Sequence, residues 1–189
     1  MNTSTRLITF LEVAIFAAIA VVFNEFISPF QIWPNGGSIT LVMIPIALIA
    51  FRRGLVAGIL TGLIMGLVLT IMPSAFRVNP IQVLLDYPLA FASLGVAGWV
   101  HLTKYSNPSQ RALWAGIGLL TAGILRFVMH YLSGVIFFAE FAPEGQSVYL
   151  YSLFYNATYI LPEIILATIV LAILLYSAPQ LIQPNYQRR

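Results

Sequence analysis

The 189-residue sequence predicts an all-α membrane protein of six transmembrane helices, and three observations carry that prediction. Hydrophobic residues make up 60% of the chain and charged residues only 8%, against about 25% charged in an ordinary soluble domain. The mean hydropathy is +0.92, so water is not the main solvent. The apolar residues gather in six runs, and nearly all the lysines and arginines fall in the gaps on one side of them.

A hydrocarbon core about 30 Å thick needs about 20 apolar residues per helix, a figure that tilt and burial relax. The first run, 7–27, follows Arg6 and carries Glu12 and Glu25. No convincing small-x-small cleavage site follows it, so it reads as a retained helix. The second, 38–51, has a short apolar core from Ile39 to Phe51 that contains Pro45, and is expected to be kinked, short or shielded by neighbours. The remaining runs are 54–72, 80–102, 111–138 and 149–176. With no internal repeat, low-complexity tract or soluble segment, residues 1–189 are expected to form a single six-helix transmembrane domain.

Six spans place both termini on one side. That side holds Arg6, Arg52, Arg53, Lys104, Arg111, Arg188 and Arg189, while the other holds Arg77. Positive charge is retained inside, so both termini are expected in the cytoplasm. The outer loops are then 28–37, 73–79 and 139–148, rich in turn-forming residues. The first, with Trp33, two prolines and the Gly36–Gly37 pair, suits an extracellular loop capping an outward-facing pocket. It also suits an interfacial loop with Trp33 in the aromatic belt.

Several chemistries are excluded. Without cysteine there are no disulfides, thiolate metal sites or cysteine nucleophiles, and two histidines cannot form a metal cluster. The basic residues are loop charges between apolar runs, so no nucleic-acid partner is expected. The sole lysine, Lys104, precedes Tyr105 and follows no glycine loop, so the chain has no P-loop for ATP. A single aspartate, Asp86, rules out an aspartyl pair. An intramembrane enzyme using His130 with Ser133 or Asp86 stays open as an alternative, although no second-helix partner completes a triad.

An ionisable side chain inside a bilayer costs roughly 2.5 to 3.5 kcal/mol, so each one asks for a reason. The candidates are Asp86 on the fourth run, Arg126 and His130 on the fifth, and Glu25, Glu140 and Glu163 near helix ends. Arg126 and His130 are four apart and share a face, where they line a pocket or form an internal hydrogen-bonded strut. The sixth run places Tyr151, Tyr155 and Tyr159 at four-residue spacing, as it does Ser152 and Asn156. With Phe137 and Phe138, these residues suit a flat, cationic, hydrogen-bonding ligand, its charge met by aromatic faces and by Asp86. On the first run Ala14 and Ala18, four apart, allow close approach of another helix, from a partner or from within the bundle.

The assembled residues resemble a known family, the thiamine-specific substrate-binding S components of energy-coupling factor vitamin transporters. The likeness runs through Gly36-Gly37-Ser38 and Met43-Ile44-Pro45-Ile46, then Phe51-Arg52-Arg53-Gly54-Leu55 and Gln82-Val83-Leu84-Leu85-Asp86-Tyr87. It continues through Arg126-Phe127-Val128-Met129-His130 with Ser133-Gly134, to Tyr151-Ser152-Leu153 and Asn156. The resemblance implies a bacterial plasma-membrane protein that captures thiamine from outside, uses no cofactor, and associates with a transmembrane coupling subunit and two cytoplasmic ATPases that consume ATP. It implies that Asp86 is the ligand-binding acid beside Tyr87, that His130, Tyr151 and Asn156 line the pocket, and that Ala14 and Ala18 contact the coupling subunit. Some members have Glu at Asp86 and tryptophans at Gly36, Met65 and Phe138; Trp33 and Phe76 are expected to compensate from the loops. An S component for a related pyrimidine or other vitamin precursor is the neighbouring alternative.

Overall fold

A computed structural model describes residues 3–26 and 37–183. Every regular element among them is a helix. Six segments follow in order: α1 (Thr3–Phe26), α2 (Met43–Arg53), α3 (Leu55–Leu69), the composite α4 (Pro80–Lys104), α5 (Pro108–Phe137) and α6 (Val148–Ser177). Four of them, α1, α4, α5 and α6, are long and apolar enough to cross a bilayer unaided.

The second segment is short rather than kinked. Pro45 stands in the first turn of α2, where its missing N–H would have had no helical partner. At 11 residues the helix rises only about 16 Å. Every residue from Met43 to Phe51 is buried, so the bundle shields it from lipid. Gly54, at φ 92°, is the one residue between α2 and α3 and turns the chain back.

Against α2 lies α3, and along α3 runs α4. Three glycines of α3, Gly58, Gly62 and Gly66, are spaced by four and let the α4 backbone come into direct contact. A Cβ built on Gly62 would lie 2.0 Å from the Phe91 carbonyl oxygen, so no larger residue fits. α4 is itself irregular. Leu85–Leu89 form a π turn around Pro88, which cannot donate to the ordinary helical ladder, and Gly95–Trp99 tighten into a 3-10 turn.

α5 begins at Pro108, with Asn107 capping it by accepting the Ser109 N–H at 2.8 Å. It packs against α6 over much of its length. α1 is peripheral. Val13, Ala17 and Ala20 are its buried residues, and Leu7, Phe10, Leu11, Ile15 and Phe26 face outward.

One end of the bundle is tied by arginines. Arg53 Nε donates to Glu12 Oε2 at 2.5 Å and Arg52 Nη2 to Glu12 Oε1 at 3.1 Å. Arg52 Nη1 also donates to the Leu181 and Gln183 carbonyls at 2.9 Å each, joining α1, α2 and the C-terminal turn Pro179–Ile182. Arg77 lies at the other end and caps α3 through the Thr70 carbonyl at 2.7 Å.

Candidate functional site

At the end away from the Arg52–Arg53 clasp, α1, α3, α4, α5 and α6 enclose a cavity of about 430 Å³. That is ample for a small organic ligand, for which pockets run from roughly 300 to 1,000 Å³. Asn24 and Glu25, roughly 18 Å beyond Glu12 along α1, reach its rim.

The π turn of α4 carries Asp86 inward. Its Oδ1 lies 3.0 Å from His130 Nδ1. Its Oδ2 accepts from Gln82 Nε2 at 2.7 Å and Ser133 Oγ at 2.8 Å. Two of these partners come from α5, because His130 and Ser133 are three apart on the same face. Asp86 and His130 keep 15% and 12% side-chain exposure, and both line the cavity. The carboxylate is thus oriented by three partners and still accessible.

Behind His130 lies Arg126, one turn deeper on α5. Its Nε is 3.4 Å from His130 Nε2, its Nη1 donates to Glu163 Oε2 at 2.8 Å, and its guanidinium carbon stands 5.0 Å from the centre of the Phe91 ring. Thr40, in the segment leading into α2, donates to the other Glu163 oxygen at 2.6 Å. Arg126 therefore both edges the cavity and forms an internal strut. Glu163 was expected near a helix end. It instead lies in mid-α6, fully buried, with Arg126 as the counter-ion that permits a carboxylate there.

The opposite wall is aromatic. Tyr151, Tyr155 and Tyr159 form a ladder on α6, with ring centres 5.7 and 6.2 Å apart. Tyr159 Oη donates to Asn156 Oδ1, and Asn156 Nδ2 donates to the Ser152 carbonyl at 2.8 Å, which orients that amide. Phe76 and Phe138 close the mouth with ring centres 5.6 Å apart. Tyr87 Oη accepts from the Phe76 N–H at 2.7 Å. Gly37, at φ 93°, lies so close to Tyr159 that a Cβ there would meet the ring at 2.8 Å, so the end of the first loop seats on the cavity wall.

The structure therefore brings together Phe76, Asp86, Tyr87, His130, Phe138, Tyr151 and Asn156 around one cavity. Trp33 lies outside the described residues. Glu140 is exposed in the turn after α5 and Phe137 does not line the cavity. Ala14 and Ala18 are exposed on α1, so they are not packing positions within this bundle. Sequence reasoning gave no role to Gln82, although its spacing of four from Asp86 was the available signal. It assigned Ser133 only to an enzyme, whereas here that hydroxyl donates to Asp86.

Comparison with known proteins bears on what this geometry serves. The sequence pattern of the thiamine transporter protein family (Thia_YuaJ) matches residues 10–183. The thiamine transporter ThiT of Bacillus subtilis strain 168 is 40% identical over 190 residues, covering 98% of this chain and 99% of the relative. ThiT of Lacticaseibacillus paracasei is 31% identical over 189 residues, covering 96% and 93%. The structure of ThiT from Listeria monocytogenes superposes with a TM-score of 0.86 at 34% identity, over 95% of this chain and 100% of that one. These are transporters, which sets aside the intramembrane enzyme. The family pattern spans most of the chain, relatives match it over nearly their full length and the fold superposes, and the chain belongs to the thiamine transporter family.

Proposed function

We propose that this protein is the thiamine-binding S component of an energy-coupling factor transporter of a bacterial plasma membrane. The observation that carries the reading is an accessible carboxylate, Asp86, held by three partners and facing an aromatic cavity of about 430 Å³, in a chain of this family. Thiamine is a flat organic cation with an amino-bearing pyrimidine. Asp86 meets its charged or amino-bearing ring, and the tyrosine ladder with Phe76 and Phe138 supplies faces worth about 0.5 to 2 kcal/mol each against a cation. His130 and Asn156 present hydrogen-bonding edges.

The arginine-rich end faces the cytoplasm, so the cavity opens outward and both termini lie inside. Release and reorientation are driven by a transmembrane coupling subunit and two cytoplasmic ATPases. The exposed Ala14 and Ala18 form the contact with the coupling subunit, and ATP is consumed by the partners.

Titration calorimetry on the purified full-length protein in detergent tests the reading. Thiamine is expected to bind one to one, and its isolated hydroxymethylpyrimidine more weakly. Removing the charge of one partner of a buried pair costs about 2 to 5 kcal/mol, so Asp86→Asn should raise Kd at least about tenfold in a folded protein. An unaltered Kd in that variant would move the anion's role elsewhere, and no saturable thiamine binding by the wild type would end the proposal.

A further inference from the structure

Gln82 sits on the first turns of α4 and is 1% exposed, four residues before Asp86. Its amide bonds in three directions. Oε1 accepts from the Val78 N–H at 3.1 Å, while Nε2 donates to the Phe76 carbonyl at 3.2 Å and to Asp86 Oδ2 at 2.7 Å. Both amide hydrogens and one oxygen lone pair are thus in use. The Val78 N–H can only donate and the Phe76 carbonyl can only accept. The loop backbone therefore dictates which end of the amide is oxygen, and the remaining hydrogen is aimed at the carboxylate.

We infer that Gln82 is a positioning residue of the ligand site, setting through one amide both the direction of the Asp86 carboxylate and the backbone of the loop that carries Phe76. The inference rests on the thiamine-binding reading above. The other two partners of Asp86, His130 and Ser133, both come from α5. Gln82 is the one described partner that pulls the acid toward α4 and the loop. Without it, the carboxylate is free to turn onto His130 and Ser133 and away from a ligand. The same loss releases the Phe76 carbonyl, leaving that backbone pinned by Tyr87 alone of the two α4 side chains that hold it. Anion and aromatic wall are thereby registered to each other before a ligand arrives, which lowers the ordering cost of binding.

The test is a double-mutant cycle on the full-length protein in detergent, read as thiamine Kd by calorimetry. Gln82→Met keeps length and burial but removes all three hydrogen bonds. It should raise Kd about tenfold or more, as loss of a buried hydrogen bond to a charged group does. In an Asp86→Asn background the same change should raise Kd by a clearly smaller factor than in wild type, because the charge it orients is already gone and only its hold on the Phe76 backbone remains to be lost. A residue that merely held the fold would give penalties that multiply. Gln82→Asn keeps the amide but is one carbon too short to serve both partners, and is read through the same cycle should Gln82→Met fail to yield folded protein. A Kd within about twofold of wild type, or multiplying penalties, overturns the inference. If Asp86→Asn weakens binding while the Gln82 variants do not, only the role of Gln82 falls; if wild type does not bind thiamine, the underlying reading falls.

Discussion

Removing Glu163 probes the electrostatics beneath the cavity. This carboxylate is fully buried, lies 2.8 Å from Arg126 Nη1 and accepts from Thr40 at 2.6 Å. Arg126 is itself only 4% exposed. Glu163→Met leaves a guanidinium with no counter-ion at that contact, and breaking a buried pair in this way costs about 3 to 5 kcal/mol. For a chain of this size each kcal/mol lowers Tm by roughly 2 to 4 °C, so a fall of roughly 6 to 20 °C is expected in a thermal melt of the detergent-solubilised protein. Replacing both partners removes the uncompensated charge, and hydrophobic substitutes for a buried pair are often neutral. Arg126→Met with Glu163→Met should therefore melt closer to wild type than Glu163→Met alone, while thiamine binding stays impaired because Arg126 no longer buttresses His130. The reasoning is refuted if Glu163→Met melts with wild type, or if the double variant is less stable than both single ones.

Two further outcomes are expected. Gly62→Val should lower Tm and weaken thiamine binding together, since overpacking costs about 1 to 3 kcal/mol or more and any side chain there drives against the Phe91 carbonyl of the helix that carries Asp86; a variant that melts and binds as wild type would show that α3 and α4 can part freely. Ala14→Trp with Ala18→Trp should abolish cellular uptake yet leave thiamine binding to the isolated protein nearly intact, because both residues are exposed on α1 and remote from the cavity. If uptake and binding were to fall together, this face would serve the fold rather than a partner.

Six helical segments were legible because α1, α5 and α6 are long uninterrupted apolar runs, and the bilayer sets the length such runs need. The shortness of α2 was only half legible: Pro45 warned of an irregularity, but its place in a first turn depends on burial that neighbours create. Asp86, His130, Tyr151 and Asn156 stood out because polar groups in apolar runs are costly. Glu163 was misplaced toward a helix end for the same reason. Its carboxylate is tolerated in mid-helix only through Arg126, 37 residues earlier, and no periodicity reveals that pairing. Gln82 went unassigned because two of its three bonds go to loop backbone, which side-chain spacing cannot report. The stripe of Gly58, Gly62 and Gly66 was not singled out in the sequence, because what gives it meaning is its partner, the irregular α4, which packs against it only in the fold.

The full burial of α2 has a consequence for how the protein is made. An 11-residue helix covers about half of the hydrocarbon thickness, and the non-helical residues before it would present bare backbone to lipid. It cannot hold a membrane-spanning position when it first leaves the ribosome. Joined to α3 by Gly54 alone, it has that helix beside it early, but its remaining walls on α4 and α6 are synthesised later. The second helix in the chain is therefore among the last to be locked, and biogenesis defects caused by changes far downstream, at Ile164 or Leu171 of α6, would surface as a failure to seat α2.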